Sequence, residues 1–292
     1  MSNPQPGILS PVPPLARCLT FQLSPDGDPT LAFAALAERR VGDELVVGIG
    51  QPLALALNAE IPGLRGMDAL SGPGFSIPST QASLWCWLRG TDHGELVHAS
   101  RALEAELEPD FETEQILDTF VYAGGRDLTG YENGTENPTG HEASAAAIVT
   151  SAGPGLEGSS FVGVQQWVHD LDVFEDLFEA ERDQIIGRRR SDNEELGDAP
   201  ASAHVKRTAQ EDFDPPAYLV RRSMPWADSD GEGPLFVAFT RNLDVFDAHL
   251  QRMAGAEDGI VDGLFRFTRP MTGAFYWCPP VTDGRLDLRA LR

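Results

Sequence analysis

Twice along this chain the apolar residues change spacing in one order: strand, helix, strand, strand, helix, strand. Alternation marks a half-buried strand, and a period near 3.6 marks an amphipathic helix. In the first half, residues 17–23, 44–49, 82–88 and 116–122 read as strands, with helices at 29–39 and 94–107. Leu96, Ala99, Leu103 and Leu107 share one face of that second helix. In the second half, strands are expected at 159–168, 203–208, 218–222, 235–240 and 274–278. Helices are expected at 171–186 and at 243–253, the latter with Asp247 and His249 on its polar side. This order predicts an α+β chain of two ferredoxin-like domains with antiparallel sheets. The expected division is 1–140 and 141–292, and each part is long enough to bury its own core. No residue-level repeat accompanies the repeated order.

Hydrophobic residues make up 41% of the chain, yet no apolar run approaches the ~20 residues that span a bilayer. Five prolines within Met1–Leu15 do not read as a signal peptide, so a cytoplasmic location is expected. With 45 acidic and 22 basic residues, the net charge of −23 argues against nucleic acid and anionic membranes as partners. Such acidity keeps a protein soluble, and it can also steer cationic substrates. Cys18, Cys86 and Cys278 are far apart, lack metal-cluster spacing and read as buried structural thiols.

Between the halves lies a loop, 124–140, with five glycines and one proline. Loops this long inside a compact chain are functional or disordered. This one runs Gly124-Gly125-Arg126-Asp127-Leu128-Thr129-Gly130-Tyr131-Glu132-Asn133-Gly134-Thr135-Glu136-Asn137-Pro138. Glycines let backbone lie close to a ligand, and Asn137-Pro138 signals a turn.

That segment resembles the GxxDG loop of dye-decolourising peroxidases at every fixed position but one. Asn133 stands where the family has its distal aspartate. Further likenesses run along the chain: Gln5-Pro6-Gly7-Ile8-Leu9, Pro78-Ser79-Thr80-Gln81, Ile186-Gly187-Arg188, and Phe267-Thr268-Arg269-Pro270-Met271-Thr272-Gly273. The resemblance implies a haem peroxidase with one haem b per chain, held in the C-terminal domain. It implies hydrogen peroxide and a small organic or dye-like electron donor as partners, and a homodimer or higher homo-oligomer.

Among six histidines, the resemblance selects His204 as the axial ligand, with Asp262 as its acidic partner. A metal-bound histidine commonly donates its other N–H to a carboxylate, which raises its basicity. Arg221, 17 residues on, is the implied distal arginine, and strand alternation sends Arg222 the other way. Ser223 then faces the same side and can hold a water. Gly134 and Thr135 belong to the loop, and Arg188 is placed to reach a haem propionate. Phe239, with Leu235 or Val237, is expected to form the apolar distal wall. Trp167, Trp226 and Trp277 read either as core aromatics or as relays for electrons.

Asn133 changes the expected chemistry. A carboxylate takes and returns a proton, whereas an amide does not titrate near neutrality. Peroxidase turnover is therefore expected to be weakened, and haem binding or delivery without much turnover is the alternative. Glu132 is a weaker candidate for a replacement acid. Three origins of Asn133 stand open: a natural departure, an introduced substitution, and the proneness of an Asn-Gly step to deamidation.

Overall fold

The computed structural model describes residues 2–72, 74–108 and 110–292. Its first half holds β1 (Leu15–Leu23), α1 (Pro29–Glu38), β2 (Leu45–Ile49), β3 (Leu84–Gly90), α2 (His93–Leu107) and β4 (Phe111–Phe120). Asp28 and Asp92 cap the two helices by accepting from Thr30 N and Glu95 N. After the loop come α3 (Gly140–Ala147), β5 (Ser160–His169), α4 (Leu171–Asp176), α5 (Glu179–Ile186) and α6 (His204–Arg207). Then follow β6 (Val220–Arg221), β7 (Met224–Asp228), β8 (Gly231–Thr240), α7 (Leu243–Met253), β9 (Thr268–Pro270) and β10 (Ala274–Cys278).

Each half builds the same antiparallel sheet, fourth strand next to first, then third, then second. The orders are β4-β1-β3-β2 and β10-β5-β8-β6. The two meet edge to edge at β2 and β10, where Trp277 pairs with Ile49, so that ten strands form one sheet. This is the α+β, ferredoxin-like architecture expected. Alternation divides each strand between two apolar clusters. One runs under the helices and includes Leu19, Val47, Cys86, Ala238 and Phe275. The other, on the opposite face, includes Trp85, Trp87, Trp226, Phe239 and Tyr276.

The strand expected at 116–122 begins earlier, at Phe111, and three further elements depart from the sequence reading. The helix expected at 171–186 is two, because Leu177 and Phe178 are extended and Arg182 binds the Leu177 and Glu175 carbonyls. The strand expected at 203–208 is a single helical turn, closed by Lys206 N and Arg207 N on the Ala203 carbonyl. There β-branched Val205 and Thr208 mimic a strand, but local backbone bonds decide. Finally, the strand expected at 218–222 keeps only Val220–Arg221 in the ladder. Trp167, Trp226 and Trp277 are all buried core residues. The cysteines are free and buried, and burial pushes the Cys86 thiol up to about 12. Among the described residues, no helix is long and apolar enough to cross a membrane.

Candidate active site

A cavity of about 640 Å³ opens between the second sheet, the 124–137 loop, α6 and α7. That size suits a buried small-molecule ligand or cofactor. The sheet wall follows from strand parity. On β5, Gln165, Trp167 and His169 face the cavity; on β8, Pro234 and Phe236 do. Phe236 lies directly across from Gln165 in the ladder. Arg221 and Ser223 complete this wall.

This parity corrects one expectation. Phe239 is fully buried in the opposite cluster, against Trp85 and Trp87, and so do Leu235 and Val237 point away from the cavity. Phe236, not Phe239, lines the cavity. The run 235–240 is buried on both faces, so alternation alone does not reveal which face is the cavity's.

His204 lies on the facing wall. Its helical turn packs against Gly187, which ends α5 with φ +93°, and a β-carbon there would meet Val205 Cγ2 at 2.3 Å. His204 Nδ1 meets Asp262 Oδ2 at 2.8 Å. The Asp262 side chain is inaccessible to solvent, and its other oxygen accepts from Leu264 N, 2.9 Å away. One carboxylate thus caps a helical turn and orients the imidazole. Nδ1 is occupied, which leaves Nε2 for the cavity.

Arg221 is half-buried; its Nε and one terminal nitrogen are shielded from solvent and have no hydrogen-bond partner among the described residues. Burial lowers its pKa, Glu136 opposes the shift and Arg188 adds to it. A guanidinium stays cationic even so. The Ser223 hydroxyl and both amide atoms of Gln165 are also buried without partners. Buried polar groups are nearly always satisfied, so this concentration marks a wall built to meet a ligand or ordered water. Arg222 turns away, as expected, and donates to the Leu9 carbonyl at 3.0 Å.

Asn133, Gly134 and Thr135 all line the cavity. The loop is tied down at several points that sequence reasoning missed. Asn137 Oδ1 accepts from Arg221 N at 2.9 Å and its Nδ2 donates to Arg221 O at 3.0 Å, so its amide pairs with β6 like a strand residue. Only the turn potential of Asn137-Pro138 was visible beforehand. Asp127 binds His169 Nε2 through both oxygens at 3.2 Å, while His169 Nδ1 meets Thr268 Oγ1 at 2.7 Å. Burial alone would raise Asp127, but His169 and Thr129 outweigh it and hold the carboxyl below its usual range. Glu132 also lines the cavity, with one oxygen accepting from Arg126 and the other from Asn193. Arg188 sits in the cavity wall and donates to Glu136 at 2.7 Å and to Glu195 at 3.2 Å.

Similarity to known proteins identifies the family. The family model described as Dyp-type peroxidase, C-terminal, matches residues 124–283, more than half of the chain. The chain belongs to the dye-decolourising peroxidase family. A dye-decolorizing peroxidase of Mycobacterium tuberculosis is 28% identical over 298 residues, covering 96% of this chain and 89% of the relative. A dye-decolorizing protein from Vibrio cholerae has a solved structure 28% identical to this one, with a TM-score of 0.83 over 94% of this chain and 96% of its own. DypB from Rhodococcus jostii RHA1 is 26% identical, with a TM-score of 0.84 over 94% and 95%. Variants of that DypB are solved in complex with heme.

In this dye-decolourising peroxidase His249 is buried rather than on a polar face, and it lines the cavity. Its Nε2 meets the Ala217 carbonyl at 2.9 Å. Burial pushes its pKa down to about 4, the Ala217 bond opposes this, and the charge of Arg221 adds to it. An unfolded histidine titrates near 6.5. The folded state therefore loses stability as pH falls from about 6.5 toward 4, by up to ~3 kcal/mol at 1.36 kcal/mol per unit. His249→Gln is expected to flatten that slope in thermal melts, and an unchanged slope would assign it to other groups.

Proposed function

We propose that the cavity holds one haem b and that His204 Nε2 would ligate its iron. The observation that carries this is the His204–Asp262 pair, which presents one ring nitrogen to an open cavity and fixes the other. Haem held there would supply iron chemistry for reducing hydrogen peroxide at the expense of a small organic donor. The cavity's unpartnered polar atoms stand on the sheet wall, opposite His204, where a peroxide would lie.

The chain's own groups then divide the work. Asp262 orients His204 and strengthens its donation. Arg221 hydrogen-bonds the peroxide and stabilises charge as the O–O bond breaks. Ser223 holds a water beside it. Phe236 excludes bulk solvent. Arg188 meets a propionate by giving up part of its contact with Glu136, while Gly134 and Thr135 let the loop approach. Asn133 orients peroxide or water through its amide but does not carry a proton. Proton movement therefore relies on ordered water positioned by Arg221, and turnover is slower than with a carboxylate. A weakened peroxidase is the primary reading; haem binding or delivery with little turnover is the alternative, favoured by this same amide.

Haem titration tests the proposal. A Soret band should appear at one haem per chain and be lost or shifted in His204→Ala; an identical spectrum and affinity in that variant would overturn it. Asp262→Asn keeps the cap on Leu264 but removes the charge. It is expected to weaken haem binding by about 10–100-fold, read by haem transfer to an acceptor protein.

A further inference from the structure

We propose that Asn133 is a self-modifying site, which converts to aspartate through attack by the backbone nitrogen of Gly134. Of the six asparagines, Asn133 alone precedes glycine. Its side chain is exposed to the cavity and, among the described residues, has no hydrogen-bond partner. The Gly134 N–H likewise has no partner among the described residues, and a β-carbon there would meet nothing nearer than 3.9 Å. Nucleophile and electrophile are thus adjacent, unengaged and uncrowded. The flanks are held: Asn133 N donates to Gly125 O at 3.2 Å, and Asn137 N to Gly134 O at 3.0 Å.

Other asparagines lack one element or more. Asn3 and Asn137 precede proline, which has no N–H to lose. Asn137, Asn193 and Asn242 have their amides engaged. Asn58 precedes alanine, whose β-carbon crowds the ring closure.

In the first step Gly134 N bonds to Asn133 Cγ, and Nδ2 departs as ammonia, leaving a five-membered cyclic imide. Water then adds at Cγ and breaks the Cγ–N bond. Amide plus water becomes carboxylate plus ammonium, with no change of oxidation state. Addition at the main-chain carbonyl would instead give isoaspartate. Addition at Cγ is the outcome we propose, because Asn133 and the cationic Arg221 line the same cavity and a cation there favours a side-chain carboxylate. The consequence for turnover rests on the role proposed above for Arg221; the modification itself does not.

The test ages haem-loaded protein at mildly alkaline pH in ¹⁸O-labelled water. Tryptic cleavage after Arg126 and Arg182 places Asn133 and Asn137 on one peptide, so the second is an internal control. The expected result is label and added mass at position 133 as aspartate, none at 137, and peroxide-dependent donor oxidation that rises with the labelled fraction. Asn133→Gln should show neither change. An intact amide at 133, or isoaspartate as the dominant product, overturns the proposal. Aspartate without a rise in activity supports the modification. If Asn133→Asp is equally flat, it is the reading of the distal wall that fails.

Discussion

Arg221→Ala is expected to lower peroxide-dependent donor oxidation by about 10²–10³-fold, the usual cost of removing one donor that meets charge formed in the transition state. The Soret band and its one-to-one haem stoichiometry should persist, because His204 and Asp262 lie on the opposite wall. A second readout separates chemistry from folding. The guanidinium has two nitrogens shielded from solvent and unpaired, an arrangement that costs stability. The haem-free variant should therefore melt no lower than the parent. A lost Soret band or a large drop in melting temperature would show that Arg221 holds the fold rather than the reaction.

Asn133→Asp is expected to act in the opposite direction. A positioned acid–base contributes about 10²–10⁴-fold, and the change adds that group without altering side-chain size. Rapid-mixing measurements with freshly prepared protein should show a gain of that order in the peroxide step. The new carboxylate should also introduce an acid limb in the pH profile, absent from the parent. No gain would mean that water positioned by Arg221 already moves the proton at full rate, and that the amide is no handicap.

Much of this site was legible because its residues sit in short, chemically distinctive stretches. His204, Arg221 and the 124–137 loop each face the cavity as expected. Phe239 failed for a definable reason: Leu235, Val237, Ala238 and Phe239 are all buried, so alternation has no polar face to orient it. Register supplies the missing fact, by setting Phe236 across from Gln165. The turn carrying His204 failed for another: Val205 and Thr208 favour strands, and their override comes from carbonyl bonds within the turn. The His169–Asp127 pair was invisible because its members are 42 residues apart. The ferredoxin-like order survived because it depends only on where periodicity changes.

The amide of Asn137 ties the loop to the backbone of the residue whose side chain is Arg221. Displacing either therefore drags the other, and the spacing between loop and strand across the cavity is maintained with, among the described residues, no hydrogen bond between Asn133 and the guanidinium. Thermal motion of the cavity mouth is then a motion of loop and strand as one body. Asn137→Ala would uncouple them, leaving each group present and well ordered on its own element but no longer held at a shared distance from the same substrate.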